Sequence, residues 1–414
     1  MRVVIIGGVA SGMSAATRLR RLDEHAEIVV YEMGDHVSYA NCGLPYFVSD
    51  VISNRDELLL QTPQSLWSRF RIEVKVNTKV TSIDRNSKTI EAFNILTGET
   101  ETSRYDKLVI TTGATPRKLD IPGYERTLSL SDVKGADRLK AEIVKNKAKS
   151  AVVLGGGFIG IELAENLTHL GIAVTVVQRA DRILSNFDAE MIEPMQQRLE
   201  QQGIKLELKS EPAEITPSAV VLSNGKTIAA DLVISAAGVT PDNQLAKAAG
   251  LVIGKTGGLQ VNEKQQTSDP DIFAAGDAVE KNGELTGNST LIPLANLANR
   301  HGRLIADVIA GIETSAHDAL GTVIIGAFGL AAGITGLSEN QAKNHGIDYQ
   351  AIHLHPGSHA GYYPGSKRLS MKVLFDPTTG KILGAQANGE DGVDKRIDVI
   401  ATAMHGGLTI DDLM

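Results

Sequence analysis

Two stretches decide the fold, "RVVIIGGVASGMSAATRLRRL" (2–22) and "SAVVLGGGFIGIELAENLTHLG" (150–171). Each is a short β-branched run, a glycine-rich turn and a helical stretch. Each is followed by a second β-branched run, "AEIVVYE" (26–32) after the first and "AVTVVQR" (173–179) after the second. This is a βαβ unit appearing twice, a duplicated architecture and not a short-period repeat array. In the second unit Gly155, Gly157 and Gly160 complete G-x-G-x-x-G between a strand and a helix, the context that gives the pattern physical meaning. The first glycine allows the tight turn, the second lets backbone approach a pyrophosphate, and the third lets helix and strand pack closely. The helix N-terminus then offers N–H donors and positive dipole to the phosphates. In the first unit Gly7 and Gly12 hold the outer positions, Gly8 stands beside the first, and the middle position is Val9.

The residue closing the second strand sorts the cofactors. Glu32 lies twenty residues after Gly12, where a carboxylate grips a ribose 2′-hydroxyl. The equivalent place in the second unit is Gln178, followed by Arg179 and Arg182. A missing acid with arginines nearby suits a 2′-phosphate and leans towards NADPH over NADH. The alternative reading makes both arginines plain surface charge. Two more stretches belong with the first unit. "YDKLVITTGATP" (105–116) is a buried-type strand ending at Thr112-Gly113, and "TSDPDIFAAGDAVE" (267–280) is a strand ending at Gly276-Asp277. An acid at a strand's C-terminal end points into the ligand crevice of an open α/β sheet. The first nucleotide unit is thus interrupted by the second and resumes near residue 245.

Composition sets bounds on function. With 414 residues the chain is too long for one ordinary core. Hydrophobic content of 42% and charged content of 22% are those of a globular protein. A net charge of −8 argues against broad nucleic-acid binding. No apolar run approaches the ~18 residues of a membrane span. The N-terminal apolar run enters a glycine loop directly and lacks a signal-peptide layout. A single cysteine, Cys42, rules out an internal disulfide and fits a reducing compartment, so a cytoplasmic protein is expected, and no metal site is expected. Cys42 sits in "SYANCGLPY" (38–46). The glycine and proline after it suggest a loop turning into a helix, whose N–H groups favour thiolate. Read without context, a lone cysteine is as well explained by inert packing.

Over essentially its whole length the sequence resembles the two-dinucleotide-domain flavoproteins of the pyridine nucleotide-disulfide oxidoreductase group. It is most similar to the single-cysteine branch of coenzyme A-disulfide reductases, NADH oxidases and persulfide reductases. The resemblance rests on the first glycine loop with Glu32, "SYANCGLPY", "TTGATP", "GGGFIG", "IFAAGDAVE", "PLANLANRHGR", "HAGYYPG" and "DKRIDVIATA". It implies an α/β fold with two Rossmann-like domains and a C-terminal α/β dimerisation domain. The expected boundaries are 1–115 with 245–320 for FAD, 116–244 for NADPH or NADH, and 321–414 for dimerisation. Glu32 would hold the FAD ribose and Asp277 the ribityl chain.

The same resemblance frames the chemistry. Dithiol members of the group carry two cysteines and reduce disulfides by internal exchange. One sulfur cannot do this, so the redox partner of Cys42 comes from outside. Either a substrate thiol forms a mixed disulfide, or oxygen or peroxide forms a sulfenic acid. Peroxide-handling relatives place a histidine in the first glycine loop, where this chain has Ala10. The coenzyme A branch presents basic residues on the following helix, here Arg18 and Arg21, and guanidinium forks suit phosphate. Unaided, "RLRRL" reads equally as a solvated helix face. Ser38 and Asn41 would line the thiol channel. A basic residue expected further along is Phe70, flanked by Arg69 and Arg71.

Tyr362, first of the pair in "HAGYYPG", would reach the partner subunit's active site in a homodimer; without the resemblance, Tyr362 and Tyr363 read as a loop anchor. Relatives continue past the equivalent of residue 414 with another active-site tyrosine and, in some, a rhodanese domain. The implied reaction is FAD-dependent reduction of coenzyme A disulfide or a coenzyme A-linked persulfide by NAD(P)H. An NAD(P)H oxidase and a non-catalytic flavin-binding protein are the alternatives.

Overall fold

The computed structural model describes residues 1–413 and divides into two compact units. The first comprises residues 1–43, 54–115 and 239–319. Its centre is a five-stranded parallel sheet ordered Ile272–Ala274, Lys107–Ile110, Arg2–Ile6, Glu27–Tyr31, Glu73–Lys75. Val3 pairs with Ile28 on one side and with Lys107 on the other. Successive strand residues face opposite sides. Val3, Ile5, Ile28 and Val30 enter one buried cluster, and Val4, Ile6, Val29 and Tyr31 enter another. Both faces are therefore covered, which is why these strands read as unbroken apolar runs.

The helices Ala10–Leu22 and Ala295–Ile309 pack closely together in this unit. Gly302 sits against the backbone of Ser11, where a Cβ would overlap the Ser11 carbonyl oxygen. An antiparallel sheet of Thr78–Asp84, Thr89–Asn94 and Thr100–Arg104 completes the unit.

The second unit comprises residues 44–53, 116–238 and 320 onward. It holds a four-stranded parallel sheet ordered Lys205–Glu207, Ala173–Val177, Ser150–Leu154, Leu232–Ser235. A small antiparallel sheet (Pro212–Ile215, Ala219–Leu222, Thr227–Ala229) accompanies it. The C-terminal part is a five-stranded antiparallel sheet ordered Val323–Ala327, Leu330–Gly336, Ile382–Gly389, Leu369–Phe375, Gln350–Leu354. The helix Val393–His405 packs on two of its strands. No helix among the described residues is long and apolar enough to cross a membrane.

In each parallel sheet the chain runs from the glycine-loop strand to one side and later returns on the other. Arg2–Ile6 is followed outward by Glu27–Tyr31, and Lys107–Ile110 comes back on its opposite edge. Strand order reverses there, so the crevice at the carboxyl ends of these strands is the expected ligand site.

Candidate active site

Three loops meet at that reversal in the first unit. Gly7 has φ +101°, and a Cβ on it would overlap the Thr111 carbonyl. Gly12 lies so close that a Cβ would overlap the Gly7 carbonyl. These contacts demand glycine, whatever binds. Val9 is the N-cap of the first helix with φ −109°, outside the left-handed region that favours glycine. Glu32 accepts from the Gly8 N–H at 2.7 Å and from the Gly34 N–H at 2.6 Å. Its carboxylate is thereby held against the glycine loop.

The hydroxyl of Thr111 donates to the Ile6 carbonyl at 2.8 Å, tying the second loop to the first. Thr112 donates to the Asp242 carbonyl at 2.7 Å. Gly113 has φ +71° and open space where a Cβ would point. Gly276, at φ +82°, carries the third loop past the Ser11 hydroxyl. The next residue, Asp277, has a carboxyl raised above the usual range by burial, which the Lys281 charge partly offsets. Behind this turn the ring nitrogen Nδ1 of buried His301 has no hydrogen-bond partner. A glycine cradle, a fixed acid at the second strand's end and an acid at the crevice fit a bound dinucleotide.

The second unit repeats this construction. Gly155 has φ +114° and abuts the Ala236 carbonyl, and Gly160 abuts the Gly155 carbonyl. Gly157 has nothing within 4 Å of its Cβ position, the opening a phosphate needs. The N–H of Gly156 donates to Gln178 Oε1 at 3.2 Å, the counterpart of the bond from Gly8 to Glu32. The duplication thus extends to a hydrogen bond, with a neutral amide replacing the carboxylate. Arg182 is spent on its own loop, donating to the Phe187 carbonyl at 3.0 Å and pairing with Asp181 at 2.7 Å. Arg179 is different. Its side chain is 79% exposed and only 3.8 Å contact with Glu211 restrains it.

Glu162 in this unit carried no assignment from sequence. It lies in the second turn of the helix Phe158–His169, two residues past Gly160. Burial, with Glu165 nearby, pushes its carboxyl up to about 7. The signal available in the sequence was an acid amid "FIGIELA", immediately after a phosphate loop.

Cys42 is exposed, in a three-residue 3₁₀ turn, Asn41–Gly43, and the short helix Leu44–Val48 follows. Ser38 precedes it in the left-handed region at φ 47°, a strained conformation for a non-glycine residue. The Ser38 N–H donates to the Gly8 carbonyl at 2.8 Å, and the Leu60 N–H donates to the Ser38 carbonyl at 2.9 Å. The cysteine turn is therefore strapped to the first glycine loop. On the first helix, Arg18 donates from Nε to Asp307 at 2.7 Å. Arg21 stacks on Phe70 at 5.9 Å, with Arg69 on the same ring at 5.2 Å. Arg20, between them, is structural: its guanidinium donates to the carbonyls of Asp23, Glu24, Ala26, Phe70 and Arg71. In the C-terminal part Tyr363 meets His359 edge-on at 5.6 Å. Tyr362 beside it is 93% exposed.

Residues 1–302 match the pyridine nucleotide-disulphide oxidoreductase family, and residues 324–414 match that family's dimerisation domain. This chain belongs to the pyridine nucleotide-disulphide oxidoreductases. A coenzyme A disulfide reductase of Staphylococcus epidermidis is 32% identical over all of this chain and 94% of its own length. The reduced CoADR-RHD of Bacillus anthracis is 42% identical with a TM-score of 0.98, over all of this chain and 75% of that one. A NAD-dependent persulfide reductase from A. fulgidus is 36% identical with a TM-score of 0.96, over all of this chain and 78% of that one. Pyridine nucleotide-disulphide oxidoreductases use FAD and NAD(P)H.

Proposed function

We propose that the protein reduces coenzyme A disulfide or a coenzyme A-linked persulfide with NAD(P)H, through a mixed disulfide at Cys42. The observation that carries this is the position of Cys42: one exposed sulfur, in a turn strapped to the first glycine loop through Ser38 and Gly8. A Cys42 thiolate attacks one sulfur of the substrate disulfide, the S–S bond breaks, and the first thiol leaves. FAD, once reduced by NAD(P)H, would supply the two electrons that break the mixed disulfide, freeing the second thiol and returning Cys42 to thiolate. Gly7, Gly8, Gly12, Glu32, Thr112, Gly113, Gly276 and Asp277 hold FAD in residues 1–115 and 245–320. Gly155, Gly157, Gly160, Gln178 and Arg179 hold the nicotinamide dinucleotide in residues 116–244.

The exposed Arg179 beside Gln178 supports use of NADPH at least as well as NADH. Arg18, Arg21, Ser38 and Asn41 face coenzyme A, with the Phe70 ring and its two arginines standing where a lone basic side chain was expected. Residues 321–414 form a homodimer whose Tyr362 donates a proton to the thiolate leaving the partner's Cys42. The lone cysteine suits the reducing cytoplasm.

The test is steady-state turnover with coenzyme A disulfide, polysulfide and oxygen, each alone, with NADH and with NADPH, in the parent and in Cys42→Ser. The substitution keeps FAD and its reduction by NAD(P)H and loses disulfide or persulfide turnover by ~10³-fold or more, the scale for removing a covalent nucleophile. Oxygen turnover that outruns both sulfur substrates favours the oxidase reading. Near-parent disulfide reduction by Cys42→Ser rejects the mixed disulfide.

A further inference from the structure

Beneath the turn that presents Asp277 lies a charge that neither nucleotide binding nor the thiol chemistry uses. Lys281 is 6% exposed. Its Nζ donates to the carbonyl oxygens of Gly276 at 2.7 Å and Val279 at 2.8 Å. Two backbone dipoles meet the ammonium, and Asp277 acts on it through space. Burial drags the Lys281 amine down to about 8, against the pull of Asp277. The other charged groups around it are accounted for. His301, on the packed helix Ala295–Ile309, is pushed down to about 4 by burial and by the charges of Lys281 and Arg300, so it is neutral above pH 7. Arg300 is permanently charged. Glu280 turns away and accepts from the Thr256 hydroxyl at 2.9 Å. Burial raises the Asp277 carboxyl and the Lys281 charge works against that rise.

We infer that Lys281 is a redox-linked proton acceptor, drawing a proton from solvent onto its side chain when FAD bound above the Asp277 turn is reduced. FAD held there would supply a two-electron couple: hydride from NAD(P)H would bring its ring two electrons and one proton and leave it one negative charge. A new negative charge nearby favours the ammonium over the amine. A solvent proton therefore joins the Lys281 nitrogen, the amine becomes ammonium, and no other bond changes. Between the amine's two titration points, in oxidised and in reduced protein, the couple takes up two protons for two electrons. Below that range Lys281 is already charged and only the ring proton counts. The inference rests on FAD occupying the first unit.

Each proton taken up with two electrons changes the equilibrium tenfold per pH unit, about 30 mV. The midpoint potential of the FAD-loaded protein is to be measured against reference dyes from pH 7 to 10. A slope of about 30 mV per pH unit is expected below pH 8, and one of about 60 mV from there up to the amine's titration point in the reduced protein. Lys281→Met is expected to hold about 30 mV throughout. Lys281→Arg, which stays charged, is expected to be equally straight and to lie at the higher potential of the two variants. A straight parent line with flavin bound overturns the inference, and so does a break that survives in Lys281→Met. If a variant fails to retain FAD, the parent profile alone decides. Purified parent protein that binds no FAD would defeat the cofactor assignment instead.

Discussion

Glu162 shows how much one side chain's surroundings matter. The same residue type binds through its charge at Glu32, where backbone N–H groups at 2.7 and 2.6 Å hold the carboxylate. At Glu162 burial and Glu165 work against ionisation and lift the carboxyl to about 7. An ordinary glutamate in the unfolded chain titrates near 4.3. Between those values the folded protein binds more protons than the unfolded one, so stability falls as pH rises through that window. Glu162→Gln removes this slope. The variant should match the parent near pH 4.5 and exceed it at pH 8 by about 1–2 kcal/mol, as read by urea melts at both pH values. Equal stability of the two proteins at pH 8 would show that Glu162 is well solvated. Such a residue is hard to find from sequence, since its neighbours in space set its chemistry.

At the scale of elements, a buried ammonium ties the N-terminus of one helix to the C-terminal sheet. Lys372 lies on the strand Leu369–Phe375 with its side chain 2% exposed. It pairs with Asp188 at 2.8 Å, Glu339 at 2.9 Å, and Glu190. Asp188 stands at the N-cap position of the helix Ala189–Gln201, and its carboxylate accepts from Gln386 Nε2 at 2.7 Å. Burial alone would raise the Glu339 carboxyl, but the bonds from Lys372, Lys343 and Tyr349 bring it down to about 2. Lys372→Met leaves buried Asp188 and the part-exposed Glu339 and Glu190 without their cation, a loss of about 3–5 kcal/mol set mainly by Asp188. The deficit should be full above pH 5 and shrink as pH falls towards 2, because the parent loses its Glu339 contribution over that range. Guanidinium melts at pH 7 and pH 3 measure it; an equal deficit at both would rule out the ionic account. None of these partners is near another in sequence, and no periodicity announces them.

At the scale of the molecule, the chain carries the family's dimerisation domain and Tyr362 is 93% exposed, and the proposed function assigns that tyrosine to the partner's site. Tyr362→Phe should lower disulfide reduction by ~10²-fold, the scale of a lost general acid. Cys42→Ser should be still less active. If Tyr362 serves the partner's Cys42, a mixed dimer of the two variants contains one intact site and one dead one. Unfolding and refolding the two variants together in equal amounts should then recover roughly a quarter of parental turnover, from the half of dimers that are mixed. No recovery, with mixed dimers present by mass, would place each tyrosine in its own chain's site or in neither.

The duplicated βαβ pattern, the two glycine cradles, the acid at Glu32 and the lone cysteine were legible because each is local. A tight turn needs glycine within a few residues of its strand, and an acid must follow at a helix-plus-strand distance. The family could be read from the same runs of residues. What tertiary structure alone decided is which charges are spent. "RLRRL" does not distinguish Arg20, bound to five carbonyls, from Arg21, stacked on Phe70. Nor does sequence distinguish Arg182, folded onto its own loop, from exposed Arg179. Lys281, Lys372 and Glu162 likewise read as ordinary surface charges until their burial is known. A side chain's hydrogen-bond partners and its access to water come from segments far apart in the chain, and those two quantities set its charge and its chemistry.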